Sequence, residues 1–119
     1  MRAAPGGAAR RAGRRMSTAP EIRVDFDRVN RAALAALPAL LARWLPEGRQ
    51  KGGEWVSRNP RRADRSPGSF KINMRTGRWA DFANSDKGGD VVSLAAYLAG
   101  VSQTEAARDL ARALGIEPR

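Results

Sequence analysis

Residues 69–82 constrain the fold most. Phe70, Ile72 and Met74 alternate with Lys71, Asn73 and Arg75, and a two-residue period belongs to a strand with one buried face. Thr76-Gly77 supplies a turn, and residues 78–82 return as the partner strand. The segment therefore reads as a hairpin, with the apolar set turned towards a core and the basic set towards solvent.

The flanking segments are read from their own punctuation. Residues 23–27, Arg-Val-Asp-Phe-Asp, suggest a short extended stretch, with Asp27 the candidate N-cap of a following helix. Leu34, Leu37, Leu41 and Trp44 recur at helical spacing. Pro38 interrupts them, so 38–45 is expected as a second short helix, ended by Pro46 and Gly48. Residues 47–53 read as a flexible connection, 54–59 as a strand holding Trp55, and 59–68 as an Arg- and Pro-rich loop. Asp90 caps a helix carrying Val91, Leu94, Ala95 and Leu98, and Gly100 stops it. Ser102 to Glu105 has the capping-box pattern, with Val101 as the staple residue. Ala106, Leu110, Ala113 and Leu114 form the expected buried stripe, closed by Gly115. The fold class expected is α+β: a small antiparallel sheet with an N-terminal helical segment and a C-terminal αα-hairpin, helices on one side of the sheet.

Charge points to the partner. The chain holds 22 Lys+Arg against 12 Asp+Glu, a net charge of +10, and such an excess favours polyanions, DNA or RNA first. Residues 1–20 contain Arg2, Arg10, Arg11, Arg14 and Arg15 among Gly, Ala and Pro, with no acid. They read as a disordered arm ahead of a domain over 21–119, with Met16 an alternative start that would leave the arm unmade. Cys and His are absent, which excludes disulfides, thiolate or imidazole catalysis and Cys/His zinc sites. No apolar run approaches the roughly 20 residues of a membrane span, and a cytoplasmic location is expected, with no membrane partner.

Arg58, Arg61, Arg62, Arg65, Lys71, Arg75 and Arg78 cluster between 58 and 78, where Asp64 is the only acid. Trp55, Phe70, Trp79 and Phe82 are interleaved with them. Guanidinium groups for phosphates and rings for unstacked bases are what single-stranded nucleic acid requires. A small domain also needs large rings inside, so at least half of these four are expected in the core.

Three stretches carry a family resemblance: Ser66-Pro67-Gly68-Ser69-Phe70-Lys71-Ile72-Asn73, then Gly77-Arg78-Trp79-Ala80-Asp81-Phe82, then Lys87-Gly88-Gly89-Asp90-Val91-Val92. In order and spacing, over roughly 52–115, the chain resembles the N-terminal zinc-ribbon domain of bacterial, phage and plasmid DNA primases. There a Cys-Pro-x-His pair precedes a Pro-Ser-Phe strand, a Cys-x-x-Cys pair surrounds an aromatic, and Gly-Gly-Asp opens a helix. The resemblance places Asn59, Arg62, Asp81 and Asn84 at the four ligand positions. None is a thiolate or imidazole, so the ribbon is expected to be degenerate and metal-free, without a cofactor. An Arg62–Asp81 ion pair, with Trp55 and Trp79 filling space, is the expected substitute for the metal.

The function these readings imply is a template-binding module for single-stranded DNA, non-catalytic, working with a separate primase catalytic subunit or a replicative helicase. Arg58, Arg61, Arg62, Lys71, Arg75 and Arg78 would take phosphates, and Trp55 or Trp79 would stack on a base. The alternative is a protein-interaction module that docks an acidic partner through the Arg-rich loop or the helical hairpin. A small carboxylate-only enzyme on nucleic acid is a weaker reading still. Lys87-Gly88-Gly89-Asp90 reads as an N-cap turn rather than a phosphate cradle, because Asp90 would repel an anion. Asp25 and Asp27 read as capping residues rather than magnesium ligands, and Glu47 and Glu54 suggest nothing catalytic.

Overall fold

A computed structural model describes residues 23–61 and 68–119. The expected arm over 1–20, Met16 and the loop residues Arg62 and Arg65 lie outside the described residues. Among the described residues the chain forms α1 (Phe26–Ala35), α2 (Leu37–Trp44), β1 (Arg49–Lys51), β2 (Glu54–Ser57), β3 (Phe70–Asn73), β4 (Trp79–Asp81), β5 (Lys87–Gly88), α3 (Val91–Ala99) and α4 (Gln103–Leu114). The strands make one five-stranded antiparallel sheet in the order β1-β2-β3-β4-β5. The fold is α+β, with helices before and after the strands.

The helix boundaries follow local chemistry. Asp25, not Asp27, caps α1: its backbone is extended, and its carboxylate accepts the Arg28 N–H at 3.0 Å. Asp27 lies inside the first turn, where its charge suits the helix dipole. Pro38 falls in the first turn of α2, where its missing N–H costs nothing. Asp90 and Ser93 form a reciprocal capping box at α3, and Gly100 and Gly115 end α3 and α4 in the left-handed conformation. Ser102 caps α4 by accepting the Glu105 N–H at 3.1 Å.

The stripe expected on α4 needs correcting. Ala106, Ala107, Leu110 and Ala111 are buried, whereas Ala113 is exposed and Leu114 only half-buried. The cause is that α4 packs on α1 as well as on α3, so its buried face is turned to serve both neighbours. One contiguous core joins Val29, Leu37 and Leu41 from the first helices, Phe70, Ile72 and Trp79 from the sheet, and Val92, Leu94 and Leu110 from the last.

Two strands were not foreseen. The expected flexible connection over 47–53 contains β1, which pairs with β2 across Gly52-Gly53. All three β1 side chains are exposed, so this edge strand has no apolar alternation to betray it. Strand β5 is only two residues long and pairs with β4.

Candidate nucleic-acid interface

The register sorts residues onto two faces, because directly opposed antiparallel residues share one. Ile72 lies opposite Trp55 and Trp79, and Phe70 opposite Ser57 and Asp81. These six form the helix-covered face. Lys71 lies opposite Val56 and Ala80, Ala80 opposite Lys87, and Val56 opposite Arg49. Glu54 joins the same face opposite Asn73 and Lys51. No helix among the described residues covers this second face. Arg49, Lys51, Lys71 and Lys87 therefore share an open surface in which Glu54 is the one strand acid, and none of these cations is ion-paired among the described residues. A shallow groove of about 580 Å³ runs over it, its lining including Lys71, Arg78, Phe82 and Lys87 together with Glu54 and an edge of Trp79.

The aromatic assignment changes. Trp79 is 5% exposed, packs 4.7 Å from the Tyr97 ring and 5.9 Å from Phe70, and donates its indole N–H to Ser93 Oγ at 3.0 Å. Trp55 is half-buried on the helix-covered face and donates to the Leu45 carbonyl at 3.2 Å. Neither is placed to stack on a base held by Lys71, and the expectation that one of them does so is corrected. Phe70 and Trp79 satisfy the expectation that half of the four rings belong to the core. The ring left outside is Phe82, 71% exposed, with Lys71 Nζ 5.6 Å from its centroid. Its signal in the sequence is its parity: it follows the inward Asp81 and so turns to the open face.

Of the remaining predicted cations, Arg78 lines that groove and the others are dispersed. Arg75 and Arg78 are exposed around the β3–β4 turn, where Gly77 takes a positive φ of 82° against Val91. Arg58 is exposed just after β2. Arg61 lies over the Tyr97 ring at 5.9 Å, on the α3 side, and does not join the stripe with Lys71. Arg62, and with it the expected Arg62–Asp81 ion pair, lies outside the described residues. Sequence reasoning missed Arg49, Lys51 and Lys87 as members of the surface, and named Phe82 among the interleaved rings without choosing it for the stack.

Two of the positions aligned with metal ligands meet. Asn59 and Asp81 are fully buried, and Asn59 Nδ2 donates to Asp81 Oδ2 at 2.8 Å and to the Tyr97 hydroxyl at 2.7 Å. That hydroxyl donates to Asp86 Oδ2 at 2.6 Å. Asn59 Oδ1 accepts the Arg61 N–H, and Asp81 Oδ1 accepts that of Ala83. Burial, and then the bond to Asp86, raise the Tyr97 hydroxyl above its ordinary value of 10.0. Zinc does not fit here. The Asn59 amide turns its N–H groups, not a lone pair, towards Asp81, and Asn84 is exposed, accepting the Asp86 N–H through Oδ1.

The Gly88-Gly89-Asp90 turn is structural. A Cβ on Gly88 would stand 2.5 Å from both the Trp79 indole nitrogen and Ser93 Oγ, so only glycine lets β5 close over Trp79. No helix of the described residues is long and apolar enough to cross a membrane. No protein-family model matches the chain, and no curated protein matches it.

Proposed function

We propose that this chain is a metal-free, primase-type module that binds single-stranded template DNA on the open face of its sheet. The observation that carries this reading is the charge on that face: Arg49, Lys51, Lys71 and Lys87, with Arg78 beside them, against Glu54 alone among the strand acids. Cations with no ion-pair partner among the described residues, on a shallow surface, suit a phosphate backbone, which rewards neutralisation by releasing counterions. Among the described residues this face offers no helix for a major groove, which disfavours duplex readout. The likeness of residues 52–115 to primase zinc ribbons supports the same reading. Catalysis would belong to a separate primase subunit or helicase in the cytoplasm, with this module as a non-catalytic grip.

The test is titration of labelled single-stranded and duplex oligonucleotides across a salt series. The expected result is tighter binding of the single strand, with log affinity falling linearly against log salt. Replacing Lys71 and Arg78 together by Ala should flatten the slope by about 1.4, near 0.7 per lost phosphate contact. Salt-independent binding, or tighter duplex binding, would overturn the proposal. Metal analysis of the purified protein should find no stoichiometric zinc; zinc that survives dialysis would remove the metal-free part.

A further inference from the structure

Resting on that reading, we infer that Phe82 is the seat of one unpaired base and the residue that makes the surface selective for single strands. The chain buries Phe70 and Trp79 and half-buries Trp55 and Tyr97, yet leaves Phe82 71% exposed beside Lys71, Arg78 and Lys87. An exposed ring of that size loses the gain of burial, and nothing in the core requires it at this position. The backbone that carries the ring is also held in place. The Phe82 N–H donates to the Ser69 carbonyl at 2.8 Å, extending the β3–β4 ladder by one residue.

The turn that follows is tied down at each step. Ala83 donates to Asp81 Oδ1, Ser85 donates to the Asp81 carbonyl at 2.9 Å with a left-handed φ of 72°, and Asp86 donates to Asn84 Oδ1. The Tyr97 hydroxyl then pins the Asp86 carboxylate from α3. Phe82 is thus presented from a braced turn, so little ordering is left for binding to impose.

The surroundings fit a nucleotide better than an apolar peptide. Lys71 Nζ stands over the ring, and Arg78 and Lys87 line the same groove, so a base on the free ring face has cations within reach of its flanking phosphates. Every base has a π-face, so this seat tolerates any sequence, but a base stacked inside a duplex cannot reach it.

The experiment compares wild type, Phe82→Ala and Phe82→Trp by fluorescence anisotropy on a single-stranded oligonucleotide, the same strand carrying abasic sites, and a duplex. Phe82→Ala should weaken binding of the intact strand by roughly 5- to 150-fold, the range of one lost stack. It should leave the salt slope and the duplex affinity unchanged. Phe82→Trp should retain wild-type affinity, and the wild type should lose affinity for the abasic strand. If Phe82→Ala binds the intact strand as wild type does while the salt slope stays steep, the base seat is wrong and the phosphate surface stands. If wild type shows no salt-dependent binding of nucleic acid, both fall. Equal losses on single strand and duplex would also overturn the seat, because they would show that Phe82 shapes the surface rather than stacking.

Discussion

On one side of β3, Phe70 and Ile72 are fully buried beneath the helices; on the other, Lys71 and Asn73 lie on a half-exposed face that no described helix covers. The same division runs through β4, where Trp79 and Asp81 face the helices and Ala80 faces away. Strand parity thus lets two properties occupy adjacent residues without sharing atoms. The covered face holds the three-ring cluster of Phe70, Trp79 and Tyr97 and the hydrogen-bonded Asn59–Asp81 pair. The open face holds the cations. Changes on the first should move stability, and changes on the second should move binding alone.

The largest effect is expected at the centre of the covered face. Phe70→Ala removes a fully buried ring in contact with Trp79 and Tyr97, and should cost about 3–5 kcal/mol in urea denaturation. A cost below about 1 kcal/mol would mean that the sheet and the helices do not share one core.

A smaller loss tests the polar pins. Tyr97→Phe removes the hydroxyl that Asn59 donates to and that donates to Asp86. Leaving those groups without it should cost about 1–3 kcal/mol. The pH dependence gives a second readout. Burial and Asp86 raise the Tyr97 hydroxyl above 10.0, so above that pH the folded state keeps a proton that the unfolded state releases. Its contribution is complete below pH 10, and falls as pH rises through the folded value. Tyr97→Phe should lose this part of the alkaline decline. An unchanged alkaline profile would show that Tyr97 does not set it.

Much of this was legible in the sequence, and the reasons for the exceptions are physical. The hairpin at 69–82 announced itself by alternation, and the last two helices by Asp90, Gly100, Ser102 and Gly115. Strand β1 was illegible because an exposed edge strand needs no apolar residue, and its own Arg49 and Lys51 joined the site unseen. The choice among aromatics failed for a different reason. Composition counts rings; strand parity separates Trp79 from Phe82, but which parity turns inward is set by the register of β4 against β3. Arg61 was drawn away from the sheet by the Tyr97 ring, a contact between residues 36 apart that no local pattern encodes.

The smallest expected effect on stability is the sharpest test of the division between faces. Lys51 and Lys87 are exposed, on β1 and β5 at opposite ends of the strand order. With neighbouring strands about 4.8 Å apart, four spacings separate them by roughly 19 Å. Replacing either by Ala should leave stability within about ±0.5 kcal/mol, since neither packs on the core. If one DNA strand crosses the whole open face, each replacement should reduce the salt slope by about 0.7. The double variant should lose the sum, because sites this far apart and without shared partners act independently. Arg61→Ala is the matched control: it removes the same charge from the helix side and should leave the slope unchanged. A slope that falls for Arg61→Ala but not for Lys51→Ala or Lys87→Ala would move the binding surface to the α3 side and end the division of labour between the two faces.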